Sequence, residues 1–290
     1  KDSSKQALLY AGSELLKLAN PLTSDQDSLR ASLIDGLLDA AATNLSNANG
    51  FFGFFENGEI FRPDASGEIS ELSATAFALV SGAAETSWRE PARPDFYAAK
   101  RLACDLLSIL GVDAGRLNFS QVEGEPVWEA GFAAGCGSEK REGFRVRFGA
   151  VSVAHLRGRG IDKTVWAGEI SFRPDVAGRK KSAEKFKAFP SFPPSSRDLA
   201  VIVEDSEPAK NVSDEIVKIA GQKTKGKGFE LESCSIFDIY RGKGVPEGFK
   251  SLACALRFRS GEKTLQTEEV NEVFDAICRE LSKKRKLRAQ

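Results

Sequence analysis

The chain has 290 residues, of which 41% are hydrophobic and 28% charged, and its 41 basic side chains equal its 41 acidic ones. This composition predicts a globular protein of about two domains and excludes a disordered or fibrous chain. No apolar run approaches the roughly 20 residues that a membrane helix needs. Five scattered cysteines and one histidine argue against a disulfide framework or a zinc site and favour a reduced, cytoplasmic protein. The absence of methionine predicts a fragment of a longer protein or an engineered boundary.

Charge is distributed unevenly along the chain. Residues 1–175 carry 18 basic and 24 acidic side chains, whereas residues 176–290 carry 23 basic and 17 acidic ones. Basic runs attract polyanions by non-specific electrostatics, so the second half favours a nucleic acid partner. The alternative for any single run is a solvated linker or tail. The three runs are Gly178 to Lys187, Lys223 to Gly228 and Lys283 to Gln290.

A long helix is the first predicted element, from Ser24 to Asn47. Leu and Ala recur there at helical spacing, and Ser24 or Asp25 is the expected cap. The stripe suits either a core or a contact with a partner subunit.

Short strands and a second helix follow. Residues 51–61 (FFGFFENGEIF) suggest paired strands, Phe54-Phe55 and Glu59 to Phe61, around Asn57-Gly58. We expect a helix from Phe96 to Leu110 and further strands within Phe144 to Phe172, the run FRVRFGAVSVAHL among them.

The second half predicts the order strand, helix, strand, strand, helix, with a short edge strand near Leu287. This split arrangement is the ferredoxin-like plan, whose helices cover one face of the sheet and leave the other open. A basic, proline-punctuated stretch precedes it and predicts a boundary near residues 174–190. The five main elements are Asp198 to Val203, Ala209 to Ala220, two strands within Ser235 to Phe258, and Thr267 to Ser282.

The most informative segment is SIFDIYRGKGVPEGFKSLACALRF, from Ser235 to Phe258, which predicts two strands joined by a turn. Successive residues of a strand point to opposite faces. Alternation places Phe237 and Ile239 on one face of the first strand and Asp238 and Tyr240 on the other. In the second strand, one row is apolar (Leu252, Cys254, Leu256, Phe258), and the opposite row is small or polar (Ser251, Ala253, Ala255, Arg257, Arg259). The polar face suits either solvent or a flat polar ligand such as an unstacked RNA base.

Sequence motifs for catalysis are lacking. Gly221 to Gly228 (GQKTKGKG) nearly matches a phosphate-binding loop, but Gly228 replaces the Ser or Thr that holds magnesium, and the segment follows a helix. The single histidine, His155, lies in a strand-like run and favours a structural role. We therefore predict no catalytic centre and no metal site in this chain.

The motifs FPPSSRDLAVIV (Phe192 to Val203), IFDIYRGKGVPEGFKSLACALRF and TLQTEEVNEVF (Thr264 to Phe274) identify a resemblance. Together with LANPLTSDQDSLRASLIDGLLDAAATNLS (Leu18 to Ser46), they resemble the C-terminal part of the β subunit of bacterial phenylalanine–tRNA ligases. The resemblance implies an α+β fold. A catalytically silent class II synthetase-like antiparallel sheet module would span residues 1–175, a basic linker 176–190, and a ferredoxin-like (βαββα) anticodon-binding domain 191–290.

The resemblance also implies partners and site residues. Family members are α2β2 enzymes that attach phenylalanine to tRNA, with ATP and Mg used by the α subunit, so no cofactor is expected in this fragment and the fragment alone is expected to be inactive. The helix from Ser24 to Asn47 would contact α. Asp238, Tyr240 and Ser251 would meet the anticodon of tRNA(Phe). The expected contacts to the tRNA backbone are Arg197, Arg257 and Arg259.

A stand-alone RNA-binding or scaffolding paralogue built from the same modules is the alternative function. It would share the sheet surface and the basic half but join no ligase, and recruitment of an α subunit separates the two hypotheses.

Overall fold

A computed structural model describes residues 15–23, 27–47, 52–63, 68–80, 93–176 and 191–288. The chain divides into two compact units between residues 183 and 184. The predicted linker at 176–190 spans this division, and all of it except Val176 lies outside the described residues, as does the first basic run.

The first unit is built on a six-stranded antiparallel sheet. Its spatial order is β1-β2-β6-β5-β4-β3, so β1 and β3 are the edge strands. The strands are β1 (Phe52–Pro63), β2 (Ile69–Val80), β3 (Ser120–Gln121), β4 (Trp128–Ser138), β5 (Phe144–Val151) and β6 (Val165–Phe172).

Two helices pack on opposite faces of this sheet. Helix α1 (Ile34–Ser46) packs with β2 residues such as Ala74 and Ala76, whereas α2 (Phe96–Ile109) packs with Phe148 and Ile170. Alternation along the strands divides the side chains between these two cores. The predicted helix at 96–110 is confirmed, and the Asp95 side chain caps it by accepting from the Ala98 amide at 2.8 Å.

Helix α1 begins ten residues later than the leucine pattern predicts. It starts at Ile34 rather than Ser24, and both predicted caps lie at 24–26, outside the described residues. The described residues 27–33 before it are not helical, and part of their backbone pairs with β1. The Phe61 amide of β1 donates to the Arg30 carbonyl at 2.9 Å.

A buried carboxylate fixes the start of α1. Glu169 of β6 is 0% exposed, and one of its oxygens accepts from the Ser32 hydroxyl at 2.7 Å and from the Leu33 amide at 2.8 Å. The other oxygen pairs with the Arg62 guanidinium at 2.6 Å. A carboxylate placed at the first amides of a helix satisfies a free donor and interacts favourably with the helix dipole.

Two further sequence predictions in this unit are wrong. Residues 52–63 form one continuous strand that pairs along its whole length with β2, so Asn57-Gly58 is not a turn. The Asn57 side-chain oxygen instead accepts from the Thr75 hydroxyl of β2 at 2.7 Å. The run FRVRFGAVSVAHL is a strand only to Val151. A short helix, α3 (Val153–Arg157), follows and contains His155.

The second unit is a four-stranded antiparallel sheet of order β10-β7-β9-β8. The predicted element order is confirmed, including the short edge strand near Leu287. The elements are β7 (Ser195–Glu204), α4 (Ala209–Lys223), β8 (Glu230–Tyr240), β9 (Phe249–Arg259), α5 (Thr267–Leu281) and β10 (Lys286–Arg288).

Both helices of this unit cover the same face of the sheet. Their apolar residues form one core with the inward rows of β7 and β9. The helical contribution is Val212, Ile216, Ile219 and Ala220 from α4 and Val270, Val273, Ile277 and Leu281 from α5. Among the described residues, no helix packs on the opposite face of the sheet.

The Glu169 network predicts a large effect on stability. We expect Glu169→Ala to lower the free energy of unfolding of the first unit by about 3 kcal/mol, the lower end for a broken buried ion pair. Arg62, only 7% exposed, loses its fully buried partner but keeps the longer 3.2 Å ion pair with Glu139. Urea denaturation followed by circular dichroism measures this. The control is Asp105→Ala, which removes an exposed ion pair with Arg101 and is expected to leave the unfolding curve near wild type. A loss below about 1 kcal/mol for Glu169→Ala, an ordinary value for a point mutant, would contradict the assignment.

Candidate nucleic-acid interface

The helix-free face of the second sheet, here called the open face, carries the predicted site residues. On β9 the row Leu252, Cys254, Leu256 and Phe258 is 0% exposed and lies in the core. The alternate row of β9 therefore lies on the open face. The two-faced character predicted from alternation is confirmed for this strand.

Strand register brings the three predicted anticodon residues together. Asp238 of β8 pairs with Ala253 of β9, and Tyr240 pairs with Ser251. Ala253 in turn pairs with Ala200 of β7. Alanines at these positions give the middle of the open face a shallow floor on which a planar group has room to lie.

Asp238 presents its carboxylate to solvent at the edge of this floor. The side chain is exposed, and its Oδ1 accepts from the adjacent Ile239 amide at 2.9 Å. A carboxylate has about four acceptor positions, so Asp238 retains capacity for a ligand's N–H groups.

Strand β8 contains two irregularities that alternation does not predict. Its register with β9 shifts between Leu231 and Ser233 and again between Ile236 and Asp238. Each shift leaves one extra residue, Glu232 or Phe237, opposite no partner of its own, as in a β-bulge. Phe237 was expected to share the inward face with Ile239. It is instead the extra residue of the second shift and is 59% exposed, whereas Ile239, which pairs with the buried Leu252, stays on the inward face at 45% exposure.

Tyr240 is stacked with an arginine that the sequence analysis did not identify. The guanidinium carbon of Arg288 lies 4.2 Å from the centre of the Tyr240 ring, a cation–π geometry. Arg288 is on β10 and Tyr240 on β8, so their side chains meet above the two strands between them. The Tyr240 hydroxyl donates to the Lys243 carbonyl at 3.4 Å. The only sequence signal for Arg288 was its place in the basic tail.

Ser251 is on the open face but is only 2% exposed. It is the register partner of Tyr240 on one side and of Ile202 on the other. The stacked pair of Tyr240 and Arg288 thus lies at the same end of the open face as the buried Ser251.

The three predicted backbone-binding arginines occupy different places. Arg197 pairs in register with the buried Leu256, which puts it on the helix side, where its Nε donates to the Asn271 side chain at 2.8 Å. Arg257 is on the open face, with a side chain 45% exposed and 3.5 Å from Glu232.

Arg259 is more enclosed than Arg257. Its side chain is 16% exposed, its Nη1 donates to the Phe192 carbonyl at 2.6 Å, and its Nε lies 2.9 Å from Glu232. Of the two predicted arginines on the open face, Arg257 is therefore the more accessible.

Much of the charge in the two basic runs that the structure describes is paired within the protein. Arg285 forms bonds of 2.8–2.9 Å with the Glu207 carboxylate, and it also pairs with Glu215. The hydrogen-bonded Glu207 raises the pKa of the Arg285 guanidinium further above its ordinary value, with Glu215 contributing. Lys227, from the second run, pairs with Glu272 at 2.9 Å. These runs have a structural role that their composition alone did not indicate.

Among the described residues, the partners found for His155 are close to it in sequence. Its ring Nδ1 lies 3.1 Å from the hydroxyl of Ser152, which also caps α3 by accepting from the His155 amide. Burial and the nearby Arg159 charge lower the pKa of His155. The neighbouring Asp35 pairs with Arg159 at 2.7 Å. These contacts agree with the structural role expected for this histidine.

No group of three or more metal-binding side chains occurs among the residues that the structure describes. Over the same ranges, no helix has the length and apolar character required to cross a membrane.

The predicted interface helix α1 uses its apolar stripe inside its own unit, because Leu37, Leu38 and Ala41 are all buried. The residues it exposes are polar, including Asp39 and Thr43. Exposed apolar side chains of this unit lie on other elements, among them Phe55 on the edge strand β1 (76%), Ile109 at the end of α2 (74%) and Phe132 on β4 (56%).

Comparison with known proteins gives two family matches that together cover nearly the whole chain. Residues 2–172 match the phenylalanyl tRNA synthetase beta chain CLM domain. Residues 190–290 match the ferredoxin-fold anticodon binding domain, in agreement with the topology of the second unit.

Individual relatives agree with the family matches. A phenylalanine–tRNA ligase beta subunit of Haemophilus influenzae is 32% identical over 98% of this chain and 34% of the relative. That of Colwellia psychrerythraea is 31% identical over 95% of this chain and 33% of the relative. The chain thus spans about a third of the length of these curated relatives. A solved pyrrolysyl tRNA synthetase of Desulfitobacterium hafniense overlaps 52% of this chain and 50% of its own at 16% identity, with a TM-score of 0.35.

The family models extend over both structural units, and the relatives align along almost all of the chain. The antiparallel sheet of the first unit and the ferredoxin-like second unit occur in the order that these matches require. The chain therefore belongs to the phenylalanyl-tRNA synthetase beta chain family.

Proposed function

We propose that this chain is a non-catalytic part of the β subunit of a cytoplasmic phenylalanine–tRNA ligase. Its second unit binds the anticodon of tRNA(Phe), and its first unit supports the α subunit, which carries out the ATP- and Mg-dependent attachment of phenylalanine. The observation that carries this proposal is the convergence of Asp238, Tyr240 and Ser251 on the open face. A stand-alone paralogue is less favoured, because the family model matching residues 2–172 describes a synthetase β chain.

The chemistry of the open face suits an unstacked base. The Tyr240 ring offers a stacking surface, which contributes about 1–3 kcal/mol per base in single-strand binding proteins. The Asp238 carboxylate accepts from the N1–H and N2–H groups of guanine, and the Ser251 hydroxyl donates or accepts. The alanine floor allows the base to approach the sheet.

Binding requires the Tyr240–Arg288 stack to open, because the stack occupies the ring face. An exposed cation–π contact is worth about 0.5–1 kcal/mol, so base stacking replaces it at small cost. The released Arg288 guanidinium is then available for a phosphate, together with Arg257. Arg197 and Arg259 instead stabilise the sheet and its flanking segments and do not contact the RNA backbone.

We assign the α-subunit contact to β1 rather than to α1. β1 is an edge strand 12 residues long. Arg30 covers its outer side at Glu59 and Phe61, and no neighbouring strand of the described residues lies along the rest of that side. An exposed edge with an exposed aromatic is a surface that proteins normally cover. Phe55 provides that aromatic.

Replacing Tyr240 tests the stacking role. We expect Tyr240→Ala to weaken binding of the tRNA(Phe) anticodon stem-loop by about 5- to 150-fold, the equivalent of one stacked base. Tyr240→Phe keeps the ring and serves as the matched control, with binding close to wild type. Fluorescence anisotropy with a labelled stem-loop measures both. Unchanged binding in both Tyr240→Ala and Asp238→Ala would exclude the anticodon role.

Replacing Asp238 tests base recognition. Inosine lacks the N2 amino group of guanine. Wild-type protein should therefore bind a stem-loop with inosine at the recognised anticodon guanine about 10- to 150-fold more weakly, given about 1.5–3 kcal/mol for a hydrogen bond to a charged group. In Asp238→Ala the two RNAs should bind equally. If the variant still prefers guanine by the wild-type factor, Asp238 does not read this base.

Co-expression tests the subunit contact. A charge at the centre of an apolar interface is poorly tolerated, so we expect Phe55→Glu to reduce recovery of the α subunit with an affinity-tagged chain at least tenfold. Val217→Glu, an equally polar change at an exposed position of the second unit, is the control. Equal recovery with both variants would exclude β1 as the contact.

A further inference from the structure

Phe237 is a second aromatic side chain on the same strand as Tyr240. It is the extra residue of the second bulge in β8, and its side chain is 59% exposed. The preceding residue, Ile236, is partly buried against the helix-side core. Because the register shifts directly after Ile236, the Phe237 side chain does not follow Ile236 into that core.

The first bulge of β8 indicates which way such an extra residue faces. Glu232 occupies the same position relative to Ser233 that Phe237 occupies relative to Asp238. Glu232 reaches Arg257 and Arg259, which belong to the open-face row of β9. By the same arrangement at the second bulge, Phe237 shares the open side with Asp238.

Along β8, the carboxylate of Asp238 therefore lies between two aromatic side chains, Phe237 and Tyr240. Phe237 and Tyr240 are separated by three strand steps, or at most about 10 Å. Four-stranded sheets that bind single-stranded RNA commonly stack two or three consecutive bases on separate aromatic side chains. Exposure of the apolar phenylalanine ring to water is unfavourable. A stacked RNA base covers the ring and requires no hydrogen bond from it.

We propose that Phe237 is a second stacking platform, which holds the nucleotide next to the one that stacks on Tyr240. The inference rests on the proposed anticodon function and extends the recognised RNA from one base to two. Because stacking on an aromatic ring is tolerant of base identity, Phe237 contributes affinity and register, and Asp238 retains the choice of base.

The test uses the whole chain and anticodon stem-loops of tRNA(Phe) that carry 2-aminopurine at one loop position at a time. We expect Phe237→Ala to weaken binding by about 5- to 150-fold, as for the loss of one stacked base. We also expect it to restore fluorescence at a loop position adjacent to the one that responds to Tyr240→Ala. Phe237→Leu keeps an apolar side chain without a ring and should remain weakened. Val217→Ala, at an exposed apolar position on α4, should bind as wild type.

The outcomes separate this inference from the proposed function. If Tyr240→Ala weakens binding and Phe237→Ala stays within about twofold of wild type, a difference well below one stacked base, Phe237 is not a platform and the anticodon function stands. Full recovery in Phe237→Leu would likewise overturn the stacking role, because it would assign the effect to apolar contact. If neither variant affects binding, the proposed function itself fails. Circular dichroism of each variant shows that the fold is retained.

Discussion

The placement of both helices of the second unit on one face of its sheet is the constraint on which the recognition surface depends. A strand whose residues alternate must send every second side chain into that core, and β9 does so with four residues that are fully buried. Complete burial of a large apolar side chain is worth about 1.5–3 kcal/mol, so the register of β9 is strongly determined. The residues between them therefore lie on the open face, whatever their side chains are. The alanines among them leave a shallow floor there.

The open face is partly closed in this structure. Arg288 reaches Tyr240 from the opposite edge strand, and Ser251 lies beneath them with almost no exposure. When RNA is absent, this stack shields the Tyr240 ring from water. Its small energy compared with base stacking allows RNA to replace it. The acidic partners of the tail, in particular Glu207 with Arg285, hold β10 close enough for Arg288 to make this contact.

Periodicity in the sequence predicted the elements whose side chains obey a single repeat. Helices α2, α4 and α5 and strand β9 are of this kind, and Asp238, Tyr240 and Ser251 were correctly expected on one face. Phe237 was misplaced because a bulge adds one residue, and alternation has no means of locating it. Helix α1 was predicted too long because its start depends on Glu169, a residue 135 positions after Ile34 in the sequence. Asn57-Gly58 suggested a turn, but pairing with the full length of β2 outweighed that local preference.

Photo-crosslinking of tRNA(Phe) with a photoreactive base in its anticodon tests the central claim most directly. After irradiation with the whole chain, digestion and mass spectrometry identify the attached peptide. The account predicts crosslinks to open-face residues of β8 and β9, between Ser235 and Arg257, and competition by unlabelled tRNA(Phe). Crosslinks confined to α4 and α5 on the opposite side of the sheet, or to the first unit, would contradict it.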